Sequence, residues 1–289
     1  MTVPLSAFGL PSDAVVWHAV FLTALSYGVG VVGGVVGLAL GTMRLPFLLL
    51  LGMPAPVAAG TNILVSTLSA VTGAVRHWRA GRVNARIVAV QGIPAMIGAF
   101  VGGFGSGLAP ESLLIGLAGI LVVWQAVELF VRARRERPKE SPVTGRQPGA
   151  QEELLRAGGT WTPGRVVAEA LVGFAIGLLG GAVGLILGSL RLPALITILG
   201  IDPRVAAGSN LVIGFLMGSF GWVGHVIAGE VDYPLLILMG LTGMVGTFQG
   251  ARLTGTMGLR GLLTLMGLVL LVVGSLLLWD AARRGGLFA

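Results

Sequence analysis

The chain has 289 residues, of which 55% are hydrophobic and 11% are charged, and its formal net charge is +7 at pH 7. A soluble domain carries about a quarter charged residues, so this composition excludes a water-soluble globular protein and predicts an all-α polytopic protein in a lipid bilayer. The chain has no cysteine, which excludes disulfides and a thiolate nucleophile. Its basic residues are spread over the connections between apolar segments rather than over one polar face, so no nucleic-acid partner is expected.

Eight segments are each long and apolar enough to cross about 30 Å of hydrocarbon. In chain order they are residues 14–41, 57–75, 87–108, 113–131, 166–188, 205–228, 235–251 and 262–279. The first follows no basic region and is expected to be a retained helix rather than a cleaved signal. Residues 134–163 are too polar to cross. They predict a linker between two four-helix units, residues 1–133 and 164–289.

The two units repeat one sequence motif. The first copy reads GVVGGVVGLALGTMRLP from Gly30 and then VAAGTN, and the second reads GLLGGAVGLILGSLRLP from Gly177 and then VAAGSN. Eleven of the seventeen positions in the longer string are identical. Many membrane transporters are built from such duplicated units, with the substrate held between the two copies.

The placement of basic residues predicts the orientation of the chain. With eight spans, fourteen Lys and Arg residues lie on the side of the linker and of both termini, and five lie on the other side. The positive-inside rule then places both termini and the linker in the cytoplasm of a cell that holds the protein in its inner or plasma membrane. Corresponding connections of the two halves carry opposite charges, as inverted repeats would. Four spans per half nevertheless predict parallel halves.

The glycines and prolines of the motif predict broken helices. They are Gly33, Gly34, Gly37, Gly41 and Pro46 in the first copy, and Gly180, Gly181, Gly184, Gly188 and Pro193 in the second. Glycine weakens a helix, and proline removes a backbone donor and disfavours helix in the residue before it. We expect the break at the Arg-Leu-Pro string, where it would line a cavity. The alternative for the glycines is close packing of helices.

Polar residues of the motif predict an anion site. The candidates are Arg44, Gly60, Thr61 and Asn62, with Arg191, Gly208, Ser209 and Asn210 in the second copy. A guanidinium offers a rigid fork of donors to an oxyanion, and a helix that begins at the VAAG-Thr/Ser-Asn string would present free N–H groups. The alternatives are arginines that extend to the interface and residues that simply cap helices.

Other residues point less clearly to a function. His77 and His225 occupy corresponding positions near helix ends, where a structural role and proton handling are both open. The middle of every predicted span lacks Asp and Glu, which disfavours a buried carboxylate relay. We find no metal-ligand cluster and no catalytic constellation in the sequence, so neither a metal nor another cofactor is expected, and the protein is not expected to be an enzyme.

At these residues the chain resembles the TauE/SafE family of sulfite exporters and sulfonate permeases. The resemblance rests on Gly33-Gly34-x-x-Gly37, Pro46 and Ala59-Gly60-Thr61-Asn62, and on their counterparts Gly180-Gly181-x-x-Gly184, Pro193 and Ala207-Gly208-Ser209-Asn210. It implies a secondary transporter for a small anion such as sulfite or an organic sulfonate, which alternates access between two repeats. The alternatives are a transporter for another solute and a structural or biogenesis subunit that transports nothing. A homo-oligomer is compatible with either.

Overall fold

A computed structural model of the chain describes residues 3–36, 41–135, 162–197, 201, 203–253 and 259–286. These residues form ten α-helices, which confirms the helical class. They are α1 Val16–Val36, α2 Gly41–Leu50, α3 Ala55–Arg79, α4 Ala85–Phe104, α5 Glu111–Arg135, α6 Pro163–Val183, α7 Gly188–Thr197, α8 Pro203–Ile227, α9 Tyr233–Arg252 and α10 Leu259–Arg284. Helix α4 contains a π-helical turn at Val88–Gly92, and a 3₁₀ turn at Leu5–Phe8 precedes α1.

Six of the described helices are long and apolar enough to cross a membrane, namely α1, α4, α5, α6, α8 and α10. The predicted spans 57–75 and 235–251 lie in α3 and α9, which are not among the six. The apolar stretch found in α3 is Ala55–Val71, which is shorter than any of the six. The structure therefore supports six spans by length and composition, fewer than the eight expected.

The helix lengths recur along the chain. From α1 to α5 the helices have 21, 10, 25, 20 and 25 residues, and from α6 to α10 they have 21, 10, 25, 20 and 26. The ten-residue helices α2 and α7 were not expected as separate elements. At 1.5 Å per residue each is about 15 Å long, roughly half of the hydrocarbon thickness.

Glycines set the closest helix pairs. A Cβ atom on Gly30 of α1 would meet the carbonyl of Gly243 in α9, and one on Gly250 of α9 would meet Val31. Residues later in α1 contact residues later in α9, so the two helices run parallel. Helices α4 and α6 are also parallel and equally close. A Cβ added to each of three glycines of α6 would meet the backbone of α4, and the pairs are Gly173 with Gln91, Gly177 with Ala95 and Gly181 with Ala99. Small residues let these backbones approach, as is common between membrane helices.

Helices α3 and α8 form the antiparallel centre of the molecule. Gly60, near the start of α3, faces His225 near the end of α8, and Gly208, near the start of α8, faces His77 near the end of α3. Helices α5 and α10 are antiparallel as well, because the Arg284 guanidinium at the end of α10 donates to the Glu111 carboxylate at the start of α5 over 3.1 Å. The two halves of the chain therefore run in opposite directions.

The antiparallel halves correct the predicted placement of the termini. The starts of α1, α3, α5 and α9 share one face with the end of α10, where Ser12 donates to Asp232 over 2.6 Å and Glu111 accepts from the Ala55 backbone N–H over 3.3 Å. The end of α5 and the start of α6, which the linker joins, lie on the opposite face. We call these the terminal face and the linker face. The prediction that the linker and both termini share a face is wrong, because α2 and α7 add a return pass to each half.

Cysteine accessibility tests this arrangement in a chain that has no native cysteine. Ala85 on the linker face and Ala228 on the terminal face are both exposed. In right-side-out and inside-out vesicles, we expect Ala85→Cys and Ala228→Cys to react with a membrane-impermeant maleimide from opposite sides. Gly285→Cys should react from the same side as Ala228→Cys. Labelling of Ala85→Cys and Gly285→Cys from one side would contradict the antiparallel halves.

Candidate functional site

The Arg-Leu-Pro string lies inside a helix in both copies, in α2 and in α7. In the second copy the helix break comes before the string, since α6 ends at Val183 and Gly188 is the first residue of α7. The two prolines lie inside these short helices, so the predicted position of the break is wrong. Gly37 lies outside the described residues. In the second copy the helix stops at Gly184, whose φ of +75° is the left-handed conformation that glycine adopts readily.

The chain crosses the interior of the protein without helix between α6 and α7. Leu185 and Leu187 are buried and pack with residues of α2, α3, α5 and α9. The Asn62 amide, in α3, donates to the carbonyls of Gly184 and Gly41 over 3.0 and 3.1 Å. Such unwound backbone is tolerated at membrane depth where protein groups satisfy it. One side chain of α3 therefore binds the start of the break after α6 and the first residue of α2.

Asn210 plays a related part in the other half. Its amide donates to the Gly188 carbonyl over 3.1 Å, and its side-chain oxygen accepts from the Arg191 Nε over 3.1 Å. Asn62 and Asn210 are each the eighth residue of their helix, α3 and α8. The prediction that helices begin at the VAAG-Thr/Ser-Asn string is therefore wrong. The helices start about two turns earlier, and N–H groups at this depth bond within the helix.

The other residues of these strings hold the halves together. The Thr61 hydroxyl accepts from the Asp232 N–H over 3.0 Å, and the Ser209 hydroxyl accepts from the Asn84 N–H over 2.9 Å. A Cβ on Gly60 would overlap the backbone of Glu230, and one on Gly208 would overlap the backbone of Arg82. These four predicted site residues therefore lie at contacts between the halves.

Replacing Asn210 by leucine tests its role at the break. The change keeps the size of the side chain but leaves the Gly188 carbonyl and the Arg191 Nε without their partner. A buried polar group that loses its hydrogen bond costs roughly 1–3 kcal/mol, so we expect Asn210→Leu to lower the thermal unfolding midpoint in detergent by several degrees. Ser275→Ala is the control, because that exposed hydroxyl bonds within its own helix. Equal midpoints for the two variants would contradict the role of Asn210.

Arg44 is buried among neutral acceptors. It is 1% exposed, and its two terminal nitrogens donate to the hydroxyls of Ser26 and Ser66 over 3.3 and 3.4 Å. Each serine in turn donates to a backbone carbonyl, that of Met239 or of Asn62. The Arg44 Nε has no partner. The predicted alternative, in which Arg44 extends to the interface, does not occur.

Arg191 is buried in the same way. It is 0% exposed, its Nε donates to Asn210, and one terminal nitrogen lies 3.9 Å from the sulfur of Met217. Its second terminal nitrogen has no partner. Ser66, which contacts Arg44, is next to the middle of α3, and Asn210 and Met217 flank the middle of α8. Both guanidinium groups therefore lie near the midplane of the helix bundle.

Neither arginine forms an ion pair with a carboxylate among the described residues. An arginine at the centre of a membrane helix costs about 2.5–3.5 kcal/mol on insertion scales. Two such residues without counter-ions create a strongly positive interior. A mobile anion is the simplest group that could balance it.

Two cavities approach the centre from opposite faces. The cavity on the linker side has a volume of about 60 Å³ and is lined by Gly188, Ser189, Asn210, Gln125 and Arg132 among others. It adjoins the first turn of α7 and has room for a few water molecules or one small oxyanion. The cavity on the terminal side measures about 530 Å³. It lies beneath the segment before α1 and reaches inward to Leu22, Leu48 and Leu235.

The sequence did not single out three residues of the linker-side cavity. They are Gln125, Arg132 and Ser189. In the structure Gln125 and Arg132 both bind the Glu128 carboxylate, which aligns them along α5. Their spacing on one helix face, 125, 128 and 132, is the signal that could have found them.

The comparisons with known proteins match nearly the whole chain. The family described as "Sulfite exporter TauE/SafE" matches residues 22–277. The chain belongs to this family. It is thus a multi-pass member of a membrane transporter family, as the resemblance in its motifs predicted.

Bacterial relatives carry similar descriptions. The chain is 25% identical over 270 residues to the probable membrane transporter protein YunE of Bacillus subtilis (strain 168), which covers 90% of this chain and 97% of that protein. It is 24% identical over 235 residues to the probable membrane transporter protein YdhB of the same organism, covering 80% of this chain and 88% of that one. A probable membrane transporter protein of Xylella fastidiosa is 34% identical over 109 residues, 37% of this chain and 40% of that one. No solved structure matches.

Proposed function

We propose that this TauE/SafE protein is a secondary transporter for a small anion, with sulfite and organic sulfonates as the substrate class. The observation that supports it best is the pair of buried arginines, Arg44 and Arg191, near the midplane without a carboxylate partner among the described residues. The family description names sulfite. A cation transporter would need acidic ligands in the same place.

The energies support an anion between the arginines. At 4 Å, and at the effective dielectric constant near 20 that fits protein sites, a unit anion gains about 4 kcal/mol from one guanidinium. That is of the same order as the cost of burying each arginine. The protein can therefore hold an unpaired charge in its interior when a substrate neutralises it during each transport cycle.

The short helices add to this attraction. Helices α2 and α7 begin inside the protein, at Gly41 and Gly188, and run outward to opposite faces. Their N-terminal N–H groups and positive dipole ends thus lie in the interior. Transporters with broken helices direct half-helix N-termini at anionic substrate groups in this way. The sequence predicted that the N–H groups of α3 and α8 bind the anion. We propose instead that the N–H groups at the starts of α2 and α7 do so.

Alternating access follows from the antiparallel halves. In our proposal the two halves are inverted repeats that rock about the antiparallel pair α3 and α8. The linker-side and terminal-side cavities become the two entrances, and the unwound segment 184–187 lies between them. The linker face carries the basic residues Arg79, Arg82, Arg86, Arg132, Arg134, Arg165, Arg252 and Arg260. The positive-inside rule therefore places it in the cytoplasm.

Transport by the purified protein in liposomes tests the proposal. We expect entry of radiolabelled sulfite, thiosulfate or ethanesulfonate above that of empty liposomes, with unlabelled anion of the same class competing. Entry of a cation or a neutral solute alone would favour a transporter for another solute. No flux of any of them, from protein that is folded and monodisperse, would favour a subunit without transport activity.

A further inference from the structure

His225 and Glu230 form a buried pair that the proposed anion site does not use. The imidazole is 0% exposed and lies in the last turn of α8. Its Nδ1 is 2.9 Å from a Glu230 carboxylate oxygen, and its Nε2 is 2.9 Å from the Gly181 carbonyl. The single hydroxyl proton of Ser106 is donated to the same Glu230 oxygen, and the Gly103 carbonyl lies 3.2 Å from the Ser106 Oγ.

The two closest partners of the His225 ring, the Glu230 carboxylate and the Gly181 carbonyl, are acceptors, and the Ser106 hydroxyl lies farther away, 3.4 Å from Nδ1. A neutral imidazole has one N–H and can satisfy one of them, whereas an imidazolium donates to both. The protonated ring also neutralises the Glu230 carboxylate, whose side chain is 14% exposed at the terminal face. The two contacts at 2.9 Å are thus both made only when the ring carries a second proton. Histidine is the residue suited to exchanging a proton near neutral pH.

The surroundings offer the ring no other charge. Helices α3, α4 and α6 reach it through Gly60, Gly103 and Gly181, which have no side chain to titrate. Two other carboxylates of the terminal face are engaged elsewhere. Asp232 accepts from Ser12 and caps α9, and Glu111 binds Arg284 and the Ala55 N–H. Glu230 is therefore the charged group in hydrogen-bond contact with the His225 ring.

The corresponding turn of the first half has the opposite charge. His77 and Arg82 match His225 and Glu230, with a left-handed glycine before the charged residue in both turns, Gly81 at φ +64° and Gly229 at φ +74°. The Arg82 and Glu230 N–H groups donate to the carbonyl of their histidine over 3.0 and 2.8 Å. The two turns thus have the same shape but differ in the charged residue beside the histidine. Glu230 would stabilise a proton on His225, whereas Arg82 would not stabilise one on His77, so the turn itself does not require the pair.

We propose that His225 and Glu230 bind the proton that couples transport to a pH gradient, an inference that rests on the transport function proposed above. The proton links the end of α8 to the Gly181 carbonyl, three residues before the break at Gly184. Release of the proton removes one of the two hydrogen bonds of the ring and frees this end of α6 to move. One proton is then bound and released with each transport cycle.

Histidine NMR tests proton binding without transport. The chain has three histidines, so ¹⁵N-histidine labelling gives a spectrum that His225→Gln assigns. At pH 7 we expect both His225 nitrogens to be protonated in the wild type, and one of them to be unprotonated in Glu230→Gln. A neutral His225 in the wild type at pH 7 would overturn the proposal, whatever the protein transports.

Flux measurements test the coupling. Ethanesulfonate stays a monoanion across the pH range used, so a pH effect reports on the protein. We expect a gradient of one pH unit to change its entry by up to about tenfold, and His225→Gln and Glu230→Gln to lose this response while keeping exchange at equal pH. Glu111→Gln, a carboxylate variant on the same face, should keep it. An unchanged gradient response in His225→Gln rejects the proton site, whereas absent exchange in the wild type rejects the transport function.

Discussion

Replacing Arg191 by glutamine is expected to abolish anion transport in a protein that still folds and inserts. The change removes a buried unpaired charge whose insertion costs about 2.5–3.5 kcal/mol, so the variant should be at least as stable as the wild type in detergent. It also removes an attraction of about 4 kcal/mol for the substrate. We expect the initial rate of sulfite or ethanesulfonate entry to fall by at least about 100-fold, which corresponds to about 2.7 kcal/mol. Arg44→Gln should behave alike.

Two further variants separate charge from geometry. Arg191→Lys keeps a positive charge but loses the Nε that binds Asn210, so it should recover part of the rate. Arg260→Gln removes an exposed arginine of the linker face and should retain flux close to that of the wild type. Wild-type flux in both Arg44→Gln and Arg191→Gln would show that the buried charges do not attract the substrate. A loss of folded protein in them would show that the arginines are structural.

Much of the architecture is readable from the sequence because it follows from periodic and repeated features. Apolar segments of membrane-crossing length located the long helices, and the duplicated motif placed a broken helix in each half. The direction of the second half was predicted wrongly. The error came from counting α1 and α2 as one crossing, since a ten-residue helix within an apolar run has no composition signal of its own.

The site was readable in its residues but not in their geometry. Arg44, Arg191, Asn62 and Asn210 all lie at the centre, yet Asn62 and Asn210 bind carbonyls of the breaks rather than presenting free helix ends. The charge asymmetry between the turns at Glu230 and Arg82 was visible and was used only for topology. The Gly181 carbonyl that binds the His225 ring comes from α6, 44 residues away in the sequence, and sequence spacing cannot supply contacts between distant segments.

Gly184→Ala is expected to prevent stable folding, and it is the most severe substitution we predict. A side chain in the left-handed conformation costs about 1–2 kcal/mol, and the added Cβ would overlap the backbone of Ala59 in α3. Forcing an atom into a packed interior costs about 1–3 kcal/mol more, and domains are stable by only about 5–15 kcal/mol. We expect Gly184→Ala to lower the unfolding midpoint by more than ten degrees or to aggregate on size-exclusion chromatography, because the break between α6 and α7 can no longer pack against α3.

Two glycine variants divide this effect into its causes. Gly9 has a φ of +76° with open space around it, so Gly9→Ala carries the backbone strain without the overlap. Gly164 has open space and no left-handed backbone, so Gly164→Ala should cost nothing measurable. The midpoint should fall slightly in Gly9→Ala and much further in Gly184→Ala. If Gly184→Ala and Gly9→Ala have the same unfolding midpoint, the segment after α6 does not pack against α3. The description of unwound backbone that crosses the interior would then be wrong.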